Sequence, residues 1–388
     1  MTPSTTSETS FPLIDLFAGC GGGSIGFRQA GFTPVAAIEI DKDASDAYQA
    51  NVGIAPITRN IRRVSGEELL TAAGLDAGDC TLLSGCPPCQ SFTNLRKASL
   101  STGKDRRRNT LYEDYLRLVA AVQPRHIAFE NVPGMLSTRW RRHFDALLEG
   151  LNDLGYDSTW SIVDAADYGV PQRRKRILVI ASRLTEPALP PQTHFAEPTD
   201  RRRRRHTTVR SAIGHLPRLE SGEYDPDDEY HEARVHSDLA LARLRAIPEG
   251  GARGDLPPRL QLECHKGHNG HHDIYGRMWW DRPAPTLTSG CTNVTRGRFA
   301  HPDQDRAITL REAMLLQTFP RRTVVTGTGE QMALQVGNAI PPLLARRIGD
   351  VVMDMERVAR RGSQVRGALI TRTPSRSTAT NNLARSSA

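Results

Sequence analysis

Residues 13–28 read Leu-Ile-Asp-Leu-Phe-Ala-Gly-Cys-Gly-Gly-Gly-Ser-Ile-Gly-Phe-Arg, and this stretch decides the fold. An apolar run of strand length leads into a cluster of glycines, after which a helical pattern starts. The order strand, glycine turn, helix is typical of the first unit of a nucleotide-binding α/β sheet. A structural tight turn is the alternative, and the turn alone does not separate NAD from S-adenosylmethionine. Because Gly-Lys-Ser/Thr is absent, a P-loop is excluded.

Strand-like and helical segments alternate downstream of this turn. Further apolar runs of strand length cover residues 35–40, 80–84, 126–129, 158–163 and 176–181. Apolar residues recur at helical spacing between Leu111 and Val122. The alternation predicts a doubly wound α/β sheet over about residues 11 to 185, whose ligands bind at the carboxyl ends of the strands.

Composition and charge bound the class of protein. The chain has 388 residues, 38% of them hydrophobic, which is enough for one large core or two unequal domains. Its 51 Lys and Arg against 43 Asp and Glu give a net charge of +8, which suits a polyanionic partner but is modest for this length. Six scattered cysteines indicate a reducing compartment. With no signal peptide and no membrane-spanning run, we expect a cytoplasmic protein.

The composition changes near residue 189. Five arginines follow one another at Arg201–Arg205, and nine of the twelve histidines lie between His194 and His272. This predicts a smaller, irregular second domain. Helical spacing returns at 310–317 and 339–352, and a tail rich in Ser, Thr and Arg predicts disorder. The predicted organisation is a disordered tail (1–10), a catalytic domain (11–192), the second domain (193–281), a returning catalytic segment (282–358) and a disordered tail (359–388).

The segment Gly85-Cys86-Pro87-Pro88-Cys89-Gln90 directly follows the strand at 80–84. Two cysteines three residues apart are also found in redox dithiols and in half of a zinc site, but a zinc site needs a second pair, which is absent. We predict that Cys89 is a nucleophile, because thiolates are intrinsically very nucleophilic. A redox dithiol and an ordinary buried cysteine pair are the alternatives. Glu130, at the end of the strand at 126–129, is the candidate acid beside it. A helix N-cap or an ion pair is the alternative role of Glu130.

Two basic segments lie beside these residues. The loop between Gln90 and Arg108 carries six basic residues against a single acid, and we interpret it as a lid over a DNA backbone rather than a solvated loop. The run Gln172-Arg173-Arg174-Lys175-Arg176 opens directly into an apolar strand, so at least one of its arginines is expected to point into the site.

Taken together, these segments resemble the DNA cytosine-5 methyltransferase family. The stretches that carry the resemblance, in the order of the family, are Asp15 to Gly19, Pro88-Cys89-Gln90, Arg108 to Leu111, Glu130-Asn131-Val132, Gln172 to Arg176, Arg282 to Thr286 and Gln335 to Pro342. The resemblance implies a Rossmann-like S-adenosylmethionine-dependent methyltransferase sheet with a second, smaller irregular target-recognition domain. It also implies methyl transfer to C5 of a cytosine flipped out of duplex DNA, through an adduct of Cys89 with C6.

The resemblance assigns roles residue by residue. Glu130 would protonate or hydrogen-bond N3 of the cytosine, and Arg176, with Arg174 nearby, would contact O2 and the phosphates. The residues implied to bind the cofactor, S-adenosyl-L-methionine, are Phe17, Ala18, Gly19, Cys20, Gly21, Gly22, Glu39 (ribose), Ile40 (adenine), Asn60, Ile61, Pro88, Leu111, Asn338, Ala339 and Ile340. Asn60 stands where the family commonly has an aspartate, although an amide oxygen can still accept from the adenine amino group. Cys86 is a second departure and receives no role.

Two rival functions stay open at this point. One is an RNA cytosine-5 methyltransferase acting on tRNA, against which the large arginine-rich region argues. The other is a catalytically silent DNA-binding relative, against which the intact Cys89, Glu130 and Arg176 argue. We expect a monomeric bacterial modification enzyme that acts on double-stranded DNA, alone or beside a separate cognate restriction endonuclease, without a membrane. Cys264, His265 and His268 are of zinc-ligand type, but the reaction needs no metal and none is predicted.

Overall fold

The computed structural model describes residues 10–88, 110–261 and 272–370, and its centre is one seven-stranded sheet. The strands are β1 (Pro12–Leu16), β2 (Thr33–Glu39), β3 (Ile57–Thr58), β4 (Leu82–Gly85), β5 (His126–Asn131), β6 (Asp157–Asp164) and β7 (Lys175–Ser182). Their order is β3-β2-β1-β4-β5-β7-β6, and only β7 runs antiparallel to its neighbours. From β1, the sheet is extended on one side by β2 and β3 and on the other side by β4 and the later strands. Ligands bind at this switch point between β1 and β4 in such folds.

Helices connect these strands and resume near the carboxyl end of the chain. They are α1 (Gly22–Gln29), α2 (Lys42–Val52), α3 (Gly66–Ala73), α4 (Leu111–Val122), α5 (Arg141–Asp153), α6 (Val209–Ile213), α7 (Asp238–Ala246), α8 (Leu310–Leu316), α9 (Gly329–Asn338) and α10 (Pro342–Ile370). Local side-chain and backbone features set both ends of α2. The Asp41 side chain accepts from the Ala44 amide at 2.9 Å and caps its first turn, and Gly53, in a left-handed conformation, ends it. The helix predicted at 111–122 is confirmed.

Alternating side chains give the sheet two apolar faces. On β5, Ile127 and Phe129 contribute to one core with α4 and α5, while Ala128 between them contributes to the opposite core with α1 and α10. Leu178 and Ile180 of β7 lie in the second of these cores, whereas their sequence neighbours lie in the first. Helices thus cover both faces, which explains why the strands read as continuous apolar runs. The predicted α/β fold class is confirmed.

The smaller second region has little regular structure, apart from α6, α7 and the two-residue strands β8 (His194–Phe195) and β9 (Arg204–Arg205). Its cores do not end at the predicted boundary of 281. Leu244 and Tyr275 pack with Val294 and Ala307, and Met278 shares a core with Phe299, Leu310 and Val336, a core that also takes in Ile25 of α1. In packing terms, the smaller region therefore continues well into the segment predicted to return to the catalytic domain.

The chain then comes back to the sheet through α10, which packs along α1. Gly26 permits this contact, since a Cβ there would lie 2.1 Å from the Pro342 carbonyl oxygen. The helix continues past residue 358, where the disordered tail was predicted to begin, and ends at Ile370. None of the helices in the described ranges is long and apolar enough to cross a membrane.

Candidate active site

The carboxyl end of β1 forms an unusual turn. Phe17, Gly19 and Gly21 all have positive φ angles, of 60°, 54° and 93°. Glycine adopts this conformation at little cost, but for phenylalanine the left-handed region costs roughly 1–2 kcal/mol. Strain of this kind persists where the surrounding structure imposes it and is concentrated at functional sites. A Cβ on Gly19 would meet no atom within 4 Å, so the turn borders open space.

The segment at the end of α9 closes one side of this turn. A Cβ on Gly22 would lie 2.6 Å from the Ile340 carbonyl oxygen and 3.1 Å from the Ala339 Cβ. Only glycine therefore allows α1 to begin so close to the returning chain. Asn338 is exposed beside these residues, and Ala339 and Ile340 are half-buried. The structure thus brings the predicted cofactor segments at 17–22 and 338–340 together.

Glu39 ties the end of β2 to the same turn. Its Oε2 accepts from the Gly19 amide at 2.8 Å, and its Oε1 accepts from the amides of Ile40 and Asp41 at 2.8 and 2.9 Å. The next side chain, Ile40, is 63% exposed although it is aliphatic. An oriented carboxylate therefore stands beside an uncovered apolar side chain at the carboxyl ends of two neighbouring strands.

The remaining predicted cofactor residues are placed less directly. Asn60 uses its side-chain oxygen to cap the 3-10 turn at 61–63, accepting from the Arg62 amide at 3.1 Å. Ile61 and Leu111 belong to the core below, and Arg62 joins their segments by donating to Thr110 Oγ1 at 3.0 Å. Pro88 is exposed, and Cys20 is buried under the turn.

Glu130 is the acid at the carboxyl edge of the neighbouring strand. It is only 4% exposed. Its Oε2 accepts from the Cys86 thiol, with Sγ 2.8 Å away, and its Oε1 lies 2.8 Å from the Arg176 Nε. That ion pair lacks hydrogen-bond alignment, so within the described residues Oε1 accepts no hydrogen bond. A buried carboxylate oxygen without a donor needs an explanation, and binding of a substrate provides one.

The chain next to Glu130 leads to the predicted nucleophile. Asn131 donates from Nδ2 to the Pro87 carbonyl oxygen at 3.2 Å, which fixes the residues immediately before Cys89 beside the acid. Cys89 itself, with the basic loop after it, lies outside the described residues. Cys264, His265 and His268 also lie outside them, and in the described part no cluster of His, Cys, Asp or Glu could hold a metal.

Burial distinguishes the other thiols from a nucleophile. It raises the pKa of Cys20, Cys80 and Cys291 to about 12. Because the thiolate is the reactive form, these three side chains are unsuited to attack a substrate at neutral pH.

The two arginines predicted to act at the site have different surroundings. Arg176, on β7, reaches Glu130 and is partly exposed. Arg174, just before β7, is 2% exposed, and its guanidinium donates to the carbonyl oxygens of Leu287, Gly337 and Asn338 at 3.3, 2.9 and 3.4 Å. Arg174 therefore joins the chain before β7 to two segments of the returning chain.

Residues 282–286 are hydrogen-bonded to the chain just before β7, at residues 171–173. The Ala284 amide donates to the Pro171 carbonyl, the Arg173 amide donates to the Ala284 carbonyl, and the buried Gln172 accepts from the Leu287 amide at 2.9 Å. These contacts explain why the motifs at 172–176 and 282–286 occur together: each supplies the other's backbone hydrogen bonds.

Comparison with known proteins gives the family of this chain. The sequence model of C-5 cytosine-specific DNA methylases matches residues 11–354. The chain belongs to this family. It is 37% identical over 342 residues to the Type II methylase M.HgiDII of Herpetosiphon aurantiacus, and the match covers 87% of this chain and 93% of that protein. It is 33% identical to the Type II methyltransferase M1.HphI of Haemophilus parahaemolyticus, covering 89% and 87%.

Solved structures agree on the fold. A crystal structure of a prophage-encoded DNA modification methyltransferase of E. coli superposes with a TM-score of 0.67 at 22% identity, covering 90% of this chain and all of that one. The Rossmann-like methyltransferase sheet is thereby confirmed. This member of the C-5 cytosine-specific DNA methylases is an enzyme, a DNA (cytosine-5-)-methyltransferase. What the sequence alone missed is the contact of Cys86 with Glu130, although the pairing of their strands could have indicated it.

Proposed function

We propose that this methyltransferase transfers a methyl group from S-adenosylmethionine to C5 of a cytosine flipped out of a specific duplex DNA sequence, through a covalent bond between Cys89 and C6. One observation carries the proposal: the buried Glu130 carboxyl, with one oxygen lacking a hydrogen bond, stands beside Arg176 and beside the prolines that lead into Cys89. A flipped base could reach such a pocket, and an extruded base is read through its Watson–Crick edge.

Glu130 and Arg176 suit two adjacent positions on that edge. The protonated carboxyl would donate from Oε1 to N3 of cytosine, and the Arg176 guanidinium, 2.8 Å from the same oxygen, would donate to O2. Both contacts become stronger when a thiolate adds to the ring, because electron density then moves toward N3 and O2. The two side chains would therefore stabilise the adduct more than the free base, which is the condition for faster chemistry.

Cys89 would begin the reaction. Its thiolate forms a bond to C6, the C5–C6 π electrons move toward N3, and N3 takes the proton from Glu130. The resulting enamine is nucleophilic at C5, which an ordinary cytosine is not. After C5 has been methylated, the C5 proton passes to water, the electrons of its bond re-form the C5–C6 double bond, the sulfur leaves as thiolate, and Glu130 recovers the proton from N3.

The residues around the glycine turn fit S-adenosylmethionine, which when bound supplies an electrophilic methyl group. The uncovered side chain of Ile40 suits an adenine ring, and the Glu39 carboxylate, already fixed by three backbone amides, can accept from ribose hydroxyls. The open space over Gly19 allows a ligand to approach the backbone. We propose that Asn338, Ala339, Ile340 and Pro88 border the same pocket, and that Ile61 and Leu111 support it from the core.

The smaller region, predicted at 193–281, would read the target sequence. The arginines at Arg201–Arg205 are exposed, and β9 holds the last two of them beside β8. Such side chains suit phosphate contacts, which position a protein on duplex DNA without specifying sequence. We propose a monomeric enzyme that modifies DNA alone or beside a restriction endonuclease. Arg174 would act as a positioning residue that holds the returning chain next to Arg176.

A covalent trap tests this proposal. The target is first mapped as 5-methylcytosine in the DNA of a host that expresses the enzyme and lacks its own cytosine methylation. A duplex with 5-fluorocytosine at that position is then incubated with S-adenosylmethionine and the enzyme. Fluorine at C5 cannot leave as the proton does, so the adduct should accumulate and survive denaturing electrophoresis.

Two cysteine variants show whether the trapped adduct forms at Cys89. Cys89→Ser should abolish both adduct and methyl transfer, whereas Cys291→Ala, which removes a buried thiol in the smaller region, should retain both. Full methyl transfer by Cys89→Ser would refute the mechanism. An adduct formed with a fluorinated tRNA and not with the duplex would instead make the enzyme an RNA methyltransferase.

A further inference from the structure

Cys86 and Glu130 are neighbours across two parallel strands. In the pairing of β4 with β5, Gly85 lies opposite Phe129, so the next residue of each chain, Cys86 and Glu130, lies beside the other at the carboxyl edge. The Cys86 Sγ is 2.8 Å from the Glu130 Oε2. Unlike the other thiols of the described chain, which are fully buried, Cys86 is half-buried.

The contact makes the two carboxyl oxygens of Glu130 unequal. Two titratable or charged side chains contact this carboxyl within the described residues: Cys86 from the end of β4, and Arg176 from β7. The thiol occupies Oε2, while Oε1 accepts no hydrogen bond there. A protonated Glu130 with its Oε2 accepting from a thiol would carry its own proton on Oε1, the oxygen that is left for a substrate.

We propose that Cys86 is a positioning residue: its thiol holds Oε2 of Glu130 so that Oε1 faces N3 of the target cytosine. The inference rests on the proposed function, because it takes Glu130 as the acid at N3. It also gives a role to a cysteine that neither the nucleophile nor the cofactor pocket requires.

The weakness of the thiol as a donor suits this role. A strong donor to one carboxylate oxygen favours the ionised form of the group. A thiol donates only weakly, so it can orient the carboxyl with little cost to the protonated form that delivers a proton to N3. A serine hydroxyl in the same place would still orient Oε2 but would favour the carboxylate more.

The test compares Cys86→Ser and Cys86→Ala in the full-length enzyme, with kcat and KM for DNA measured for each variant. Cys86→Ala loses the donor to Oε2 and with it the orientation of the Glu130 carboxyl. Cys86→Ser keeps a donor to Oε2, so its kcat should lie between those of the wild type and Cys86→Ala. We expect kcat of Cys86→Ala to drop roughly 10- to 100-fold, as for a misplaced catalytic group, while KM changes little.

Controls separate this inference from the proposed function. Cys291→Ala removes a thiol elsewhere and should leave kcat and KM unchanged, and thermal unfolding establishes that each variant is folded. If Cys86→Ala keeps the wild-type kcat, or if Cys86→Ser loses as much kcat as Cys86→Ala, the positioning role is wrong, even though wild-type enzyme still forms the 5-fluorocytosine adduct. If wild-type enzyme forms no adduct, the proposed function itself fails. If Cys86→Ala abolishes the adduct while Cys89→Ser retains it, Cys86 is the nucleophile and not a positioning residue.

Discussion

Two sets of buried charged side chains in this enzyme differ in how complete their hydrogen bonds are. In the smaller region, Arg306 donates from both Nη atoms to the two carboxylate oxygens of Glu312, each at 2.8 Å, and Glu312 also accepts from the Thr309 amide. Arg277, in the same region, donates to four backbone carbonyl oxygens. At the edge of the sheet, by contrast, Glu130 keeps one buried oxygen without a donor among the described residues.

This difference separates charges that stabilise the fold from charges kept for a ligand. A buried ion pair whose hydrogen bonds are complete has no capacity left for a substrate, and breaking it leaves an uncompensated charge. A buried oxygen without a donor costs free energy in the absence of a ligand and recovers it when a ligand donates. The Arg306–Glu312 pair should therefore govern stability, and Glu130 should govern catalysis.

Glu130→Gln should have the largest effect on the reaction. The amide cannot deliver a proton to N3, so we expect kcat to fall about 10²- to 10⁴-fold, the range typical of general acid catalysis. The thermal unfolding midpoint should stay close to that of the wild type. Glu149→Gln, an exposed site on α5, is the matched control. If Glu130→Gln unfolded far more easily but retained its kcat, Glu130 would belong with the charges that stabilise the fold.

Glu312→Gln should show the opposite behaviour. Removing one partner leaves the Arg306 guanidinium buried without its counter-charge, which typically costs 3–5 kcal/mol, so urea should unfold this variant at a much lower concentration. The kcat of the folded fraction should remain near the wild-type value. The double variant Arg306→Met with Glu312→Leu should recover much of the stability, since both charges are then absent. Equal loss in the single and double variants would contradict this account of the pair.

The fold could be predicted because strands of a doubly covered sheet are apolar on both faces. β3 was missed because two residues carry no periodicity, and α9 was missed because its glycines and polar residues weaken the helical pattern. The boundary at 281 followed a change of composition, whereas a core can group residues that are distant in sequence, as Met278 and Val336 are.

The placement of a candidate site residue could be predicted where that residue ends a strand. Glu39 and Glu130 stand at the ends of predicted strands, and the parallel strands of the sheet bring such ends to one edge. The pairing of Cys86 with Glu130 was not, since it depends on the register of β4 with β5. Arg174 and Arg176 are two residues apart in sequence, yet only Arg176 belongs to β7; the path of the chain before the strand decides where Arg174 points.

Asp15 offers the most sensitive test of the comparison, because it is a buried carboxyl at the carboxyl end of β1 that has no cationic partner among the described residues. Burial raises its pKa to about 7, helped by the negative charge of Glu39 and opposed by the Ser24 hydroxyl, which donates to Oδ2 at 2.6 Å. Burial also acts to raise the pKa of Glu312, but Arg306 outweighs it and holds that pKa below its ordinary value. The two carboxyls should therefore affect stability in opposite directions as pH changes.

Asp15→Asn should reveal that sign. The pKa of Asp15 in the folded state lies above the ordinary value of 3.8, so between about pH 4 and 7 the folded protein binds more protons than the unfolded one, and its stability falls as pH rises. The free energy of unfolding of the wild type, measured in urea, should lose on the order of 1–3 kcal/mol relative to Asp15→Asn over this range. Asp46→Asn, at an exposed position on α2, should show the same pH dependence as the wild type. If the wild-type and Asp15→Asn curves run parallel, Asp15 is not a proton-binding carboxyl, and the edge of the sheet differs from the smaller region at Glu130 alone.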